Sequence, residues 1–94
     1  MNHCIEKANL LEMMNQFKIA IVDVRSKEEY EANHIEGALN IPLAEIENRI
    51  GELSSYELII TACGAGGGRS STATDILKDK GLHAKWLCKG TFGW

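Results

Sequence analysis

Glu57-Leu58-Ile59-Ile60-Thr61-Ala62-Cys63-Gly64-Ala65-Gly66-Gly67-Gly68-Arg69-Ser70-Ser71 is the stretch from which the rest of the chain can be read. It begins with a short apolar run rich in β-branched residues, the pattern of a strand buried on both faces. A glycine cluster breaks the run. Ser70 or Ser71 then caps a helix with apolar positions at Ala73, Ile76 and Leu77, stopped by Gly81. Strand, loop and helix in that order form half of a parallel βαβ unit. In open α/β sheets, ligands bind beyond the carboxyl ends of the strands, which is where this loop lies.

The same pattern continues in both directions. Residues 18–24 (KIAIVDV) read as a second buried strand, and residues 84–87 as a last short one. Residues 5–17 carry apolar side chains at helical spacing. Ser26 caps a short helix through Tyr30, with Glu28 and Glu29 favoured in its first turn. Residues 38–41 form an extended run. Pro42 then opens a helix with Leu43, Ile46 and Ile50 on its apolar face, and Gly51 stops it. Alternating strands and helices predict an α/β fold with a mostly parallel sheet and helices on both faces.

Ninety-four residues allow one domain, taken as residues 1–94. With 45% hydrophobic and 24% charged residues, the composition is that of a globular protein and excludes a disordered or collagen-like chain. A net charge of −3 argues against nucleic acid or an anionic membrane as the main partner. No apolar run is long enough to span a bilayer, and residues 1–7 do not resemble a secretory leader. Cys4, Cys63 and Cys88 are odd in number and far apart, a poor disulfide framework. The expected setting is a reducing cytoplasm. No Cys-x-x-Cys pair suggests a metal, His3 and His83 have no ligating neighbour in sequence, and no cofactor is expected.

The chemistry concentrates between Cys63 and Arg69. Gly64, Ala65, Gly66, Gly67 and Gly68 let the backbone curl with its N–H groups inward. Together with a helix N-terminus they would cradle an anion, and the same field favours a thiolate at Cys63. Arg69 adds a fixed cation with a planar donor fork. A buried structural cysteine beside a flexible turn has the same composition. What singles out a nucleophile is the order of strand, cysteine, glycine loop, arginine and helix.

Across residues 19–94 the chain resembles single-domain rhodanese (sulfurtransferase-type) proteins. The matching residues are Asp23-Val24-Arg25 with Glu28 and Tyr30, His34-Ile35-Glu36-Gly37-Ala38, Asn40-Ile41-Pro42, the Cys63 loop with Arg69-Ser70-Ser71, and Leu87, Gly90 and Trp94. The resemblance implies a five-stranded parallel sheet with a first short strand near residues 4–6. It also implies a Cys63 persulfide that takes sulfane sulfur from a small anionic donor and hands it to a thiol, cyanide or a protein. It makes Asp23 and Arg25 supports of the active loop, and His34 a residue of a structural turn.

The sequence departs from that family in two ways. Five residues, not the usual four, separate Cys63 from Arg69, a length similar to rhodanese-fold phosphatases and arsenate reductases. Those relatives carry His before the cysteine, where this chain has Ala62, and the loop holds no acidic proton donor. Gly64 and Ala65 also leave the loop poor in cationic side chains, so a polysulfide or protein persulfide is as good a donor as thiosulfate. An oxyanion enzyme and a non-enzymatic sulfur-carrier or regulatory module are the alternatives. Cys88 ends the last strand on the side of the site and is a candidate resolving thiol, with a small buried hydrophobe as the plainer role. Cys4 reads as a bystander, Lys89 as a surface residue and Trp86 as core. An Arg25–Glu28 ion pair is allowed by their spacing.

Overall fold

The computed structural model describes residues 4–94. His3, and part of the stretch read for a leader, lie outside them. The elements are β1 (Cys4–Ile5), α1 (Lys7–Met13), β2 (Ile19–Asp23), α2 (Lys27–Ala32), β3 (Leu39–Asn40), β4 (Leu58–Ala62), α3 (Arg69–Asp79) and β5 (Ala84–Leu87). Short 3₁₀ segments cover Leu43–Glu45, Glu47–Glu52 and Thr91–Gly93. The five strands pair in parallel in the order β1-β5-β4-β2-β3.

The apolar runs are continuous because both faces of the sheet are covered. Strand side chains alternate between two cores. Ala20, Val22 and Ile59 pack with Ile46, Leu53, Ala73 and Leu77 from the 3₁₀ segments and α3. Ile21, Leu58, Ile60 and Ala62 pack on the other side with Leu10 of α1 and with Ile35 and Ala38. The register places Val22 beside Thr61 and Asp23 beside Ala62, so β2 and β4 end together. Asp23 and Cys63 are thereby brought to one edge.

Several local expectations change. Residues 42–52 form 3₁₀ turns instead of an α-helix, and Gly51 lies inside them. Arg49 breaks the helical geometry there, and its guanidinium binds Glu45 and Glu52 instead. Neither Ser70 nor Ser71 caps α3. The cap position is Gly68 with φ +54°, and the helix starts at Arg69. Ser26 does cap α2, in a reciprocal capping box with Glu29. Trp86 is half-buried, on the face of β5 that also carries Ala84, while Lys85 and Leu87 lie on the other.

Candidate functional site

Cys63 follows β4 and is buried. Its Sγ lies 2.9 Å from the carbonyl oxygens of both Gly66 and Gly67, and 3.3 Å from the Ser70 hydroxyl. Ser70 in turn donates to the Gly67 carbonyl at 3.0 Å. The sulfur is therefore ringed by acceptors, a lining that suits an S–H donor. The sequence led us to expect inward N–H groups. At the start of α3 the amides of Ser70 and Thr72 are taken up by the carbonyls of Gly67 and Gly68.

The carboxyl-terminal segment clamps the loop. The Thr91 amide donates to the Cys63 carbonyl at 2.7 Å, and the Phe92 amide donates to the Gly64 carbonyl at 2.9 Å. Two glycines make this approach possible. A Cβ on Gly66 would stand 2.1 Å from the Cys88 carbonyl oxygen, and one on Gly90 would stand 2.5 Å from the Cys63 carbonyl oxygen. Ala65 is exposed at the rim.

Arg69 does not enter the loop. Its two Nη atoms donate to the Glu29 carboxylate at 2.8 and 3.2 Å, tying the start of α3 to α2. Glu29 is the main reason the Arg69 pKa is raised. Arg69 holds the Glu29 carboxyl well below its ordinary value of 4.5, at about 2, and the Ser26 amide assists.

Asp23 and Arg25 lie at the end of β2, where Asp23 stands beside Ala62 of β4. Both are almost fully buried. The Arg25 Nε and Nη2 donate to the Asp23 carboxylate at 3.0 and 2.7 Å, and the Arg25 amide joins them at 3.0 Å. Asp23 is the main reason the Arg25 pKa is raised. Asn40 Nδ2 donates to the carbonyls of Asp23 and Arg25, and the Val24 amide donates to the carbonyl of Ala62, next to Cys63. Arg25 also underlies the exposed Phe92 ring, 5.5 Å from its centroid. Arg25 thus pairs with Asp23 where an Arg25–Glu28 pair was also allowed. His34 is exposed, stacks on Tyr30 and is hydrogen-bonded to the Tyr30 carbonyl.

Cys88 is placed differently from the expectation. It forms a disulfide with Cys4, so it stands as neither a free thiol nor a partner of Cys63, and Cys4 is not a bystander. The pairing was hidden because the two cysteines are 84 residues apart and meet only when β1 adds to β5. Sequence reasoning also missed Thr61 and Thr74. The Thr61 hydroxyl donates to the Ser70 carbonyl at 2.8 Å and shares a 3.0 Å contact with the Thr74 hydroxyl, which fastens α3 to β4 under the loop. The signal was present: Thr61 is the one hydroxyl in an otherwise apolar strand. Among the described residues, no cluster of His, Cys, Asp and Glu could hold a metal ion.

Residues 6–94 match the family model described as a rhodanese-like domain. The chain belongs to the rhodanese-like family. An HTH-type transcriptional regulator of Mycobacterium tuberculosis is 40% identical over 96% of this chain, which spans 40% of the regulator's length. The thiosulfate sulfurtransferase PspE of Escherichia coli is 37% identical over 64% of the chain and is spanned to 59%. The chain thus covers less than two thirds of either relative. A crystal structure of a Lactobacillus plantarum protein superposes with a TM-score of 0.84 at 27% identity, covering 97% of this chain and 80% of that one. The thiosulfate sulfurtransferase of Pseudomonas aeruginosa shares the rhodanese fold with a TM-score of 0.83 at 18% identity, covering 100% of this chain and 18% of its own.

Proposed function

We propose that this rhodanese-like chain is a sulfurtransferase that works through a Cys63 persulfide. One observation carries the reading. Cys63, the free cysteine among the described residues, lies in a glycine loop at the carboxyl end of a central parallel strand. The Cys63 thiolate attacks the outer sulfur of the donor. A Cys63 S–S bond forms, and the donor's S–S bond breaks. Its electron pair leaves with sulfite when the donor is thiosulfate, or with the shortened polysulfide or protein thiolate. An acceptor thiolate or cyanide then takes the terminal sulfur and returns Cys63 as thiolate.

The acceptor-lined sulfur fits the resting thiol. An anionic persulfide needs donors, and the glycine peptides of the loop, free to adopt either orientation, would supply them as N–H groups. Arg69 supplies the nearby positive field while paired to Glu29. A cytoplasmic setting suits a thiol acceptor. The relationship to a transcriptional regulator gives the second reading, in which the same cysteine serves a regulatory or carrier module docked on a partner.

Intact mass after exposure to thiosulfate or polysulfide tests the first reading, with Cys63→Ser alongside. A gain of one sulfur in the wild type alone, removed by cyanide, is expected. No adduct with either donor would overturn it and turn attention to arsenate and aryl phosphate as substrates.

A further inference from the structure

We propose that the Cys4–Cys88 disulfide is a redox-sensitive latch that restrains the Cys63 loop. Cys88 has two connections. Its sulfur is bonded to Cys4 on β1, and its carbonyl oxygen stands where a Cβ on Gly66 would collide with it. The next residues, Gly90, Thr91 and Phe92, carry the clamp that holds the Cys63 and Gly64 carbonyls. Whatever fixes Cys88 therefore fixes the wall of the loop. Apart from the disulfide, β1 is a two-residue edge strand, held by its short parallel pairing with Trp86 and Leu87 of β5, by the buried Ile5 side chain and by a further hydrogen bond from the Cys88 amide to the Ile5 carbonyl. Lys7 adds a tie to the carbonyl of Trp94. Such an edge frays readily once its covalent bond is gone.

The disulfide is also reachable. Both cysteines are half-buried, and a surface depression of about 380 Å³ lined by Cys4, Asn9, Glu12 and Lys85 opens beside Cys4. It has room for a low-molecular-weight thiol. That thiolate attacks the Cys4 sulfur, the Cys4–Cys88 bond breaks, and Cys88 leaves as thiolate and takes up a proton. A second thiol then displaces the first from Cys4, releasing one small disulfide and two protein thiols. A small disulfide reverses the sequence and closes the latch. In a reducing compartment such a disulfide is transient and regulatory.

The direction follows from the loop. In the disulfide form, the Gly66 and Gly67 carbonyls cover Sγ, and Gly66 is backed against Cys88. Uncovering the sulfur requires this wall to give, which reduction permits. The latch concerns access to Cys63 and holds whichever donor or acceptor that cysteine serves.

The test is alkylation of Cys63 by iodoacetamide, read as the mass of its peptide. The full chain is compared in its disulfide form and after reduction and desalting. Cys63 should react about tenfold faster in the reduced form, within the ordinary range for coupled sites. Cys4→Ser and Cys88→Ser should match the reduced wild type and ignore reductant. Circular dichroism is read on the reduced wild type as well as on each variant, and a faster reaction seen only together with loss of the folded signal overturns the proposal. Equal rates in both forms, or slower reaction after reduction, overturn the proposal. So does a disulfide that no low-molecular-weight dithiol opens without denaturant. Alkylation uses no sulfur donor, so its outcome is separate from that of the sulfur-transfer experiment.

Discussion

At the scale of single residues, the largest electrostatic commitment is the Asp23–Arg25 pair, 2.7 Å apart and shielded from solvent. Two charges taken out of water lose hydration, and only close pairing with full hydrogen bonding offsets the loss. Here the Arg25 fork also reaches the Asn33 carbonyl, and Asn40 ties down the backbone of both partners. Asp23→Ala leaves the Arg25 guanidinium buried without its counter-charge. We expect the unfolding free energy to fall by about 3–5 kcal/mol, read from urea denaturation. The double variant Asp23→Leu/Arg25→Met removes both charges and should regain most of that loss. A double variant no more stable than Asp23→Ala would show that the pair is held by packing rather than by charge. The sequence marked both residues as supports. It did not disclose their burial, because a charged pair after an apolar run reads equally well as the start of a solvated loop.

Among elements, α2 and α3 belong to different crossovers and meet through Glu29, which serves two partners. It closes the capping box of α2 with Ser26 and grips Arg69 at the first residue of α3. Its carboxyl titrates at about 2 instead of 4.5, first because of Arg69 and then because of Ser26. Since the folded value is depressed, the stabilisation is complete above pH 4.5 and is lost as pH falls toward 2. Glu29→Gln should therefore flatten the urea midpoint over that interval. A residual slope should remain from Glu52, which Arg49 also lowers. An unchanged pH profile would mean that the exposed Glu29–Arg69 pair is screened to nothing. The two central strands, β2 and β4, could be read from their apolar runs almost to the residue, because burial on both faces leaves an unbroken hydrophobic signature. The 3₁₀ turns after Pro42 could not, since Leu43, Ile46 and Ile50 satisfy helical spacing equally well and no residue type announces the non-helical backbone at Arg49. The two carbonyls beside Sγ were not legible for a related reason: glycine permits either peptide orientation, and spacing does not say which one faces the sulfur.

In the whole molecule, the disulfide joins the first strand to the end of the last and closes a loop of 84 residues, nearly the full chain. A domain of this size buries only about 60–65% of the surface its unfolded chain exposes, so its margin of stability is small. In the chain-entropy picture, a loop of that length restricts the unfolded ensemble by nearly 5 kcal/mol, with about 2–4 kcal/mol the usual net gain. The wild type under reductant, and Cys4→Ser without it, should lose about that much in urea denaturation. The slope against denaturant should rise at the same time, because an uncrosslinked unfolded chain exposes more surface than a tethered one. An unchanged midpoint would mean that the packing of β1 on β5 holds the ends together unaided. The large expected loss and the two-residue length of β1 point to one conclusion: the edge of the sheet nearest the clamp depends on the covalent bond more than any other part of the fold.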